Sequence, residues 1–273
     1  MMKTYVLKLI LFSALLLAAC SAEPTPLPIT PPTDTPAPTV EGDTGVIIPF
    51  DLRIALAPNM IGAVPTADLA ALRAAGQVDQ LQASVDPASY VGASADLYVE
   101  YGDGVTGGTV APTRYQVIAV INSSLAPLDD SAVATILREL LANSAASLTS
   151  TPPADTLSVL RGRLANAGYP DGFNLTLGAV DAYNVEQIRA GFSEYQIDVI
   201  RTDMAADAAL AGYANDELHL VIVGYTLDSD RAVWVERAGA ENVIDLFSLP
   251  ISYLAAPGIT VSFSAGGYPV PGR

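Results

Sequence analysis

The chain has 273 residues, 51% of them hydrophobic, which is room for one large domain or two lobes around a sizeable core. Its 13 basic and 29 acidic residues give a formal charge of −16, the wrong sign for phosphate backbones, so no nucleic-acid partner is expected. The only lysines are Lys3 and Lys8, which leaves the rest of the chain without Schiff-base or phosphate-loop lysine chemistry.

Those lysines precede the apolar run Leu9 to Leu17, too short to span a bilayer and suited to a signal-peptide core. Leu17-Ala18-Ala19-Cys20 follows and resembles the lipobox of bacterial lipoproteins, in which Cys20 would carry the lipid; the alternative is an ordinary secretory signal with a chance cysteine. A lone cysteine forms no internal disulfide, so packing must hold the fold. Ser21 to Thr44 interleaves seven prolines with threonines and should extend as polyproline II, a stalk of at most about 70 Å. A ligand for proline-binding domains is the sharper alternative for this segment.

From Val46 the pattern turns globular. Leu52 to Leu56 (LRIAL) predicts a strand, Thr66 to Ala74 a helix, and Leu97 to Tyr101 another strand. Gly102 to Gly108 (GDGVTGG) lacks the GK[ST] of a phosphate loop and reads as a surface turn. Tyr115 to Asn122 predicts an apolar strand, and Pro127 to Asp130 opens a helix whose buried stripe is Val133, Ile136, Leu137, Leu140 and Leu141.

Thr151-Pro152-Pro153, with Asp155, predicts a second helix start, and Leu157, Leu160 and Leu164 supply its apolar face. In AGYPDGFNLTL, Gly168 and Pro170 should stop that helix near Ala167. Asp171-Gly172 turns, and Phe173, Leu175 and Leu177 alternate as a strand. Val185, Ile188 and Phe192 mark a helix, Gln196 to Ile200 a strand, Ala205 to Tyr213 a helix, and Leu218 to Tyr225 (LHLVIVGY) a central strand. Strands alternating with helices predict an α/β fold with a mainly parallel sheet covered on both faces.

Little points to catalysis. His219, the only histidine, lies in a strand pattern and reads as structural. There is no GxSxG, and a His/Cys metal site has too few ligands, so neither an enzyme, a cofactor nor a metal is expected. Gly224 to Asp230 (GYTLDSD) places an aromatic and acids beyond the carboxyl end of the predicted central strand, where open α/β sheets hold ligands; the plainer alternative is a strand-end turn.

Three blocks carry a family resemblance: VINSSLAPLDDSAV (Val120 to Val133), LRGRLANAGYPDGFNLTL (Leu160 to Leu177) and LHLVIVGYTLDSD (Leu218 to Asp230). They resemble the C-terminal part of the family 5 extracellular solute-binding proteins, the peptide-, dipeptide- and nickel-binding components of ABC importers, and LPISYLAAPGITVSFSAGGYP is similar to the family's return segment. AGYPDGF is the most specific block. The chain departs from the pattern at Val133-Ala134, where the family usually has Val-Arg, and at Leu141-Ala142, where it has Ile-Asp. It also has little of the family's large N-terminal lobe.

The resemblance implies a type II periplasmic-binding-protein-like fold with a reduced first lobe. It divides the chain into a lipoprotein signal peptide (1–19), a Pro/Thr-rich stalk (20–45), a reduced first lobe (46–114), an α/β second lobe (115–226) and a return segment (227–273). By the family's Gly-Trp-x-x-Asp motif, Asp228 would accept a ligand's amine and Tyr225 would stand in for the tryptophan. The implied role is non-enzymatic: a membrane-anchored, extracytoplasmic protein that captures a peptide or small amine for an ABC permease. Two alternatives remain, a degenerate relative serving as a surface interaction or sensory module and, last, an extracellular hydrolase.

Overall fold

A computed structural model of the chain describes residues 52–146 and 154–272. The segments expected to form a signal peptide and a stalk, Cys20 and Thr151-Pro152-Pro153 lie outside the described residues, as do the side chains of Asp155 and Leu157. The described residues all belong to one compact unit.

Among the described residues there are ten strands: β1 (Leu52–Leu56), β2 (Gly76–Gln80), β3 (Leu97–Tyr101), β4 (Thr109–Ile121), β5 (Phe173–Val180), β6 (Ile197–Asp203), β7 (Leu220–Tyr225), β8 (Val243–Ala255), β9 (Thr260–Phe263) and β10 (Pro269–Gly272). The helices are α1 (Thr66–Ala75), α2 (Pro87–Tyr90), α3 (Ser131–Ala146), α4 (Ala154–Asn166), α5 (Val185–Ser193), α6 (Ala206–Ala214) and α7 (Asp228–Ala238). Eight strands make one sheet in the order β2-β1-β3-β8-β4-β7-β5-β6, while β9 and β10 pair separately as a hairpin.

The α/β expectation holds, and the register adds a division that periodicity could not show. Parallel pairs join β2-β1-β3 on one side and β7-β5-β6 on the other. Between them β8 is antiparallel to β3 and β4, and β4 is antiparallel to β7. The two parallel sets therefore run in opposite directions. Tyr101, ending β3, pairs with Ile251, and Tyr225, ending β7, pairs with Gln116, itself opposite Ser248. Both sets thus point their carboxyl ends at the same middle stretch of β4 and β8. Register shifts at Val110/Arg114 and Val117/Ile118 bracket that stretch, and Pro112 and Pro250, which lack an amide donor, fall beside it.

Local chemistry accounts for the elements that frame this junction. Asp130 caps α3 by accepting from the Ala132 amide at 2.7 Å, and the helix buries the predicted stripe from Val133 to Leu141. At the end of α4, the Tyr169 amide bonds the Leu164 carbonyl at 2.9 Å and the Gly168 amide the Ala165 carbonyl at 3.1 Å. With Gly168 at φ 95°, that pair of bonds is a Schellman stop, so AGYPDGF does end the helix where predicted. Gly172 (φ 75°) then passes so close to Gln196 that a Cβ would overlap its carbonyl.

Strand β7 is buried on both faces, as a central strand should be. Leu220 and Ile222 face the main core, whereas Val221, Val223 and Tyr225 face a second cluster with Tyr213 and Trp234. Each such large aliphatic side chain contributes about 1.5–3 kcal/mol by leaving water.

Candidate functional site

Six loops or strand ends converge where the two parallel sets face each other. From the first set come the turn Pro58–Met60 with its following residues, the start of α1, and Tyr101. From the second come residues 181–184 after β5, Met204 after β6, and the corner from Tyr225 into α7. Crevices beyond the carboxyl ends of parallel strands are where open α/β sheets hold ligands.

Aromatic rings fill the centre of the junction. Tyr101 stacks on Tyr115 at 4.2 Å between centroids and also meets Tyr183 and Tyr268, while Tyr183 abuts Phe247 edge-on. The Tyr101 hydroxyl donates to the Ala63 carbonyl at 2.7 Å and lies 2.5 Å from the Tyr268 hydroxyl. The Tyr115 hydroxyl donates to the Asp181 carbonyl at 2.7 Å and accepts from the Tyr183 amide at 2.8 Å. Burial pushes the Tyr101, Tyr115 and Tyr268 phenols well above their usual range, so all three stay protonated donors. Gly224 is what admits Tyr115, because a Cβ there would overlap both the Asp181 carbonyl and the Tyr115 hydroxyl.

Beside the rings a cleft of about 210 Å3 remains, lined by Ile61, Gly62, Ala179, Asp181, Ala182, Arg201, Asp203 and Met204. Arg201 is already committed, to Glu186 at 2.8 Å and to Asp203 at 2.5 Å. Asp181 has no such counterion among the described residues: burial pushes its carboxyl up to about 6, against the pull of the Thr66 backbone amide and with a further push from Asp68. Asp68 is 5% exposed and accepts from Ser264 at 2.7 Å and from the Gly266 amide at 3.0 Å. The lining is therefore acidic and half apolar, a combination that favours a small cation carrying some hydrocarbon.

The predicted site residues fall differently. Asp228 is the first residue of α7, exposed, with no hydrogen bond or ion pair among the described residues. Its carboxylate lies in the field of the Arg231 guanidinium, which pairs with Asp245. Tyr225 is 1% exposed; its ring belongs to the Trp234 cluster on the other face of β7, and its hydroxyl donates to Gln116 at 3.3 Å. It does not offer the ring surface that a ligand would cover. Cys20 lies outside the described residues.

The alternative of a plain strand-end turn does not describe Asp228-Ser229-Asp230, which form the first turn of a helix. Leu227 bridges from β7, the Asp230 amide bonds its carbonyl at 2.9 Å, and acids at Asp228 and Asp230 suit the positive helix end. His219 is structural, as predicted. Its Nδ1 accepts from the Thr176 amide at 3.1 Å and its Nε2 donates to the Ala126 carbonyl at 3.0 Å, which leaves neither nitrogen for a substrate. Among the described residues no group of three or more His, Cys, Asp or Glu side chains could hold a metal ion, and no helix is long and apolar enough to cross a membrane.

The sequence reading did not find Asp181 or the tyrosines of the junction. The one available signal was VDAYN after the FNLTLGAV strand: an acid and Asn184 at a strand end, both of which take left-handed φ, 44° and 66°.

No family model matches the chain, and no curated protein matches it. Solved structures do resemble it. The periplasmic binding protein DppA of Helicobacter pylori, solved with the peptide STSA, is 11% identical, with 70% of this chain and 54% of that one covered and a TM-score of 0.43. A dipeptide-binding protein of Pseudoalteromonas sp. SM9913, solved with Met-Leu, is 9% identical over 71% and 56%, also at 0.43. NikA of Brucella suis, solved with Fe(III)-EDTA, is 10% identical over 72% and 62%, again at 0.43. The chain thus spans 54–62% of the length of these three binding proteins.

Proposed function

We propose that this chain is a lipid-anchored, extracytoplasmic solute-binding protein that captures a small amine-bearing ligand, a short peptide among them, for an ABC importer. One observation carries the reading: two opposed parallel sets aim their carboxyl ends at one junction, and the unpaired carboxylate of Asp228 stands at its edge. An ammonium docked there would form a charge-assisted hydrogen bond at the positive end of α7. Tyr225, buried beneath, would hold the corner rather than cover the ligand. The resemblance of the GYTLDSD block supports the same assignment, and Cys20 would supply the membrane anchor.

A second reading is favoured by the filled junction. The remaining cleft of about 210 Å3 is below the roughly 300–1,000 Å3 of common ligand pockets, which fits a binding-protein-like lipoprotein that senses or docks without transport. Native mass spectrometry of the full chain followed by calorimetry with a dipeptide pool separates the two. Capture of a peptide, with affinity reduced at least tenfold in Asp228→Ala, supports the transport reading. Absence of any bound peptide favours the second, and binding indifferent to Asp228→Ala removes Asp228 from the site.

A further inference from the structure

Strand β6 ends the eight-stranded sheet, with β5 on one edge and no described strand on the other. Edge strands are ordinarily blunted by short length, proline, lysine or a bulge, because their open amides and carbonyls pair readily with another chain. None of these protects β6: its seven residues (IDVIRTD) run in unbroken register, from Ile197 opposite Phe173 to Asp203 opposite Ala179. Just past the strand, the Met204 amide bonds the Ala179 carbonyl at 2.9 Å. Backbone groups alternate in direction along a strand, so those of Ile197, Val199, Arg201 and Asp203 point to the open edge. The other edge strand, β2, reads GQVDQ and offers only Val78 as an apolar contact.

Side chains complete the surface. On the outer face Asp198, Ile200 and Thr202 are exposed, and Ile200, at 62%, is the most exposed large hydrophobic side chain among the described residues. On the other face Ile197 and Val199 are buried with the apolar side of α5. A groove of about 520 Å3 opens between that helix and the strand edge, beside Ala190 and Ser193.

Charge selects the occupant. Arg189 and Arg201 both pair with Glu186, and Arg201 also with Asp203 at the junction end of the strand. Asp198 makes no hydrogen bond or ion pair among the described residues. A second copy would bring another Asp198 and a further formal charge of −16, which opposes self-pairing, whereas a basic segment is attracted by both.

We propose that the β6 edge is a docking site for an extended basic segment of a partner protein, added to the sheet as a further strand. Main-chain bonds to the outward groups of 197–203 hold it, and side-chain positions set its sequence. Cross-strand neighbours on one face recur every two residues. A Lys or Arg opposite Asp198 and an apolar residue opposite Ile200 therefore stand two apart, and the residue between them enters the groove beside Ala190. No free amine is required, so this site is independent of capture at Asp228.

The blocked peptide acetyl-Ser-Thr-Lys-Val-Val-Thr-Ser-amide, which has no α-amine, tests the site on the full chain by calorimetry and by hydrogen exchange. Binding should protect residues 197–203 and leave 181–184 unchanged. Glu in place of Lys in the probe, or Asp198→Lys in the protein, should each weaken binding at least about fivefold, the upper worth of one exposed charge pair. The Glu probe with Asp198→Lys should restore it. N-methylation of alternate probe residues, in the phase that faces β6, should abolish binding while keeping every side chain. Absence of binding, protection elsewhere than β6, binding that survives N-methylation in both phases, or no recovery in the charge swap overturns the proposal. A dimer in native mass spectrometry of the chain alone, with 197–203 already protected, gives the edge to a second copy and overturns it equally.

Discussion

The two parallel sets share one logic and differ in what supports them. The second has strands of six to eight residues, with the helices α3 to α6 around it and apolar side chains buried on both faces of β7. The first has five-residue strands, one ten-residue helix and a four-residue one, and its edge strand β2 has no fully buried residue. The thin set cannot bury enough apolar surface by itself, so it depends on what it shares with the other at the junction. Tyr101 is the main shared element: it ends β3, stacks on Tyr115 of β4 and bonds back to Ala63.

The largest effect should come from removing that element. Tyr101→Ala leaves a ring-sized cavity and should destabilise by about 3–5 kcal/mol. Denaturant titration gives the loss, and hydrogen exchange should show β1 to β3 losing protection before β5 to β7. Equal loss in both sets would erase the distinction between them.

Tyr115→Phe is smaller and sharper. It keeps the ring stack but leaves the Asp181 carbonyl and the Tyr183 amide without their partner, a cost of about 1–3 kcal/mol. The smallest effect is expected outside the junction. Arg231 and Asp245 pair at 3.0 Å between α7 and β8, but Asp245 is exposed and Arg231 only half-buried, so Arg231→Ala should change stability by at most about 1 kcal/mol. A larger loss there would shift weight from the junction to the rim.

Much of this scaffold was legible because local rules decide it. The Schellman stop at Gly168, the stripe of α3 and the buried run of β7 all follow from spacing and from residues with restricted backbones. Helix α7 was not legible: in DSDRAVWVERA charged residues interrupt the apolar ones and only Trp234 is buried, so no apolar stripe announces it. The division of the sheet was hidden for another reason. Strand β8 carries Pro250 and polar residues at Asp245, Ser248 and Ser252, and its two partners are fixed by register rather than by pattern.

Site residues divide in the same way. The place of Asp228 just past the carboxyl end of β7 could be read from the apolar run before it. The orientation of Tyr225 could not, because LVIVGY is apolar at every position and contains no polar alternation to show which face each side chain takes. The junction itself is assembled from Tyr101, Tyr115, Tyr183, Phe247 and Tyr268, residues up to 167 positions apart. Only the crossing of β4 and β8 between the two sets brings them together.

The central claim is that an amine is captured at the edge of this junction by Asp228. Calorimetry of the full chain with a dipeptide that it binds and with the same dipeptide acetylated at its amino group tests that claim most directly. The account predicts at least a tenfold loss of affinity on acetylation in the wild type and almost none in Asp228→Asn. Equal affinity of the wild type for the two peptides would contradict it.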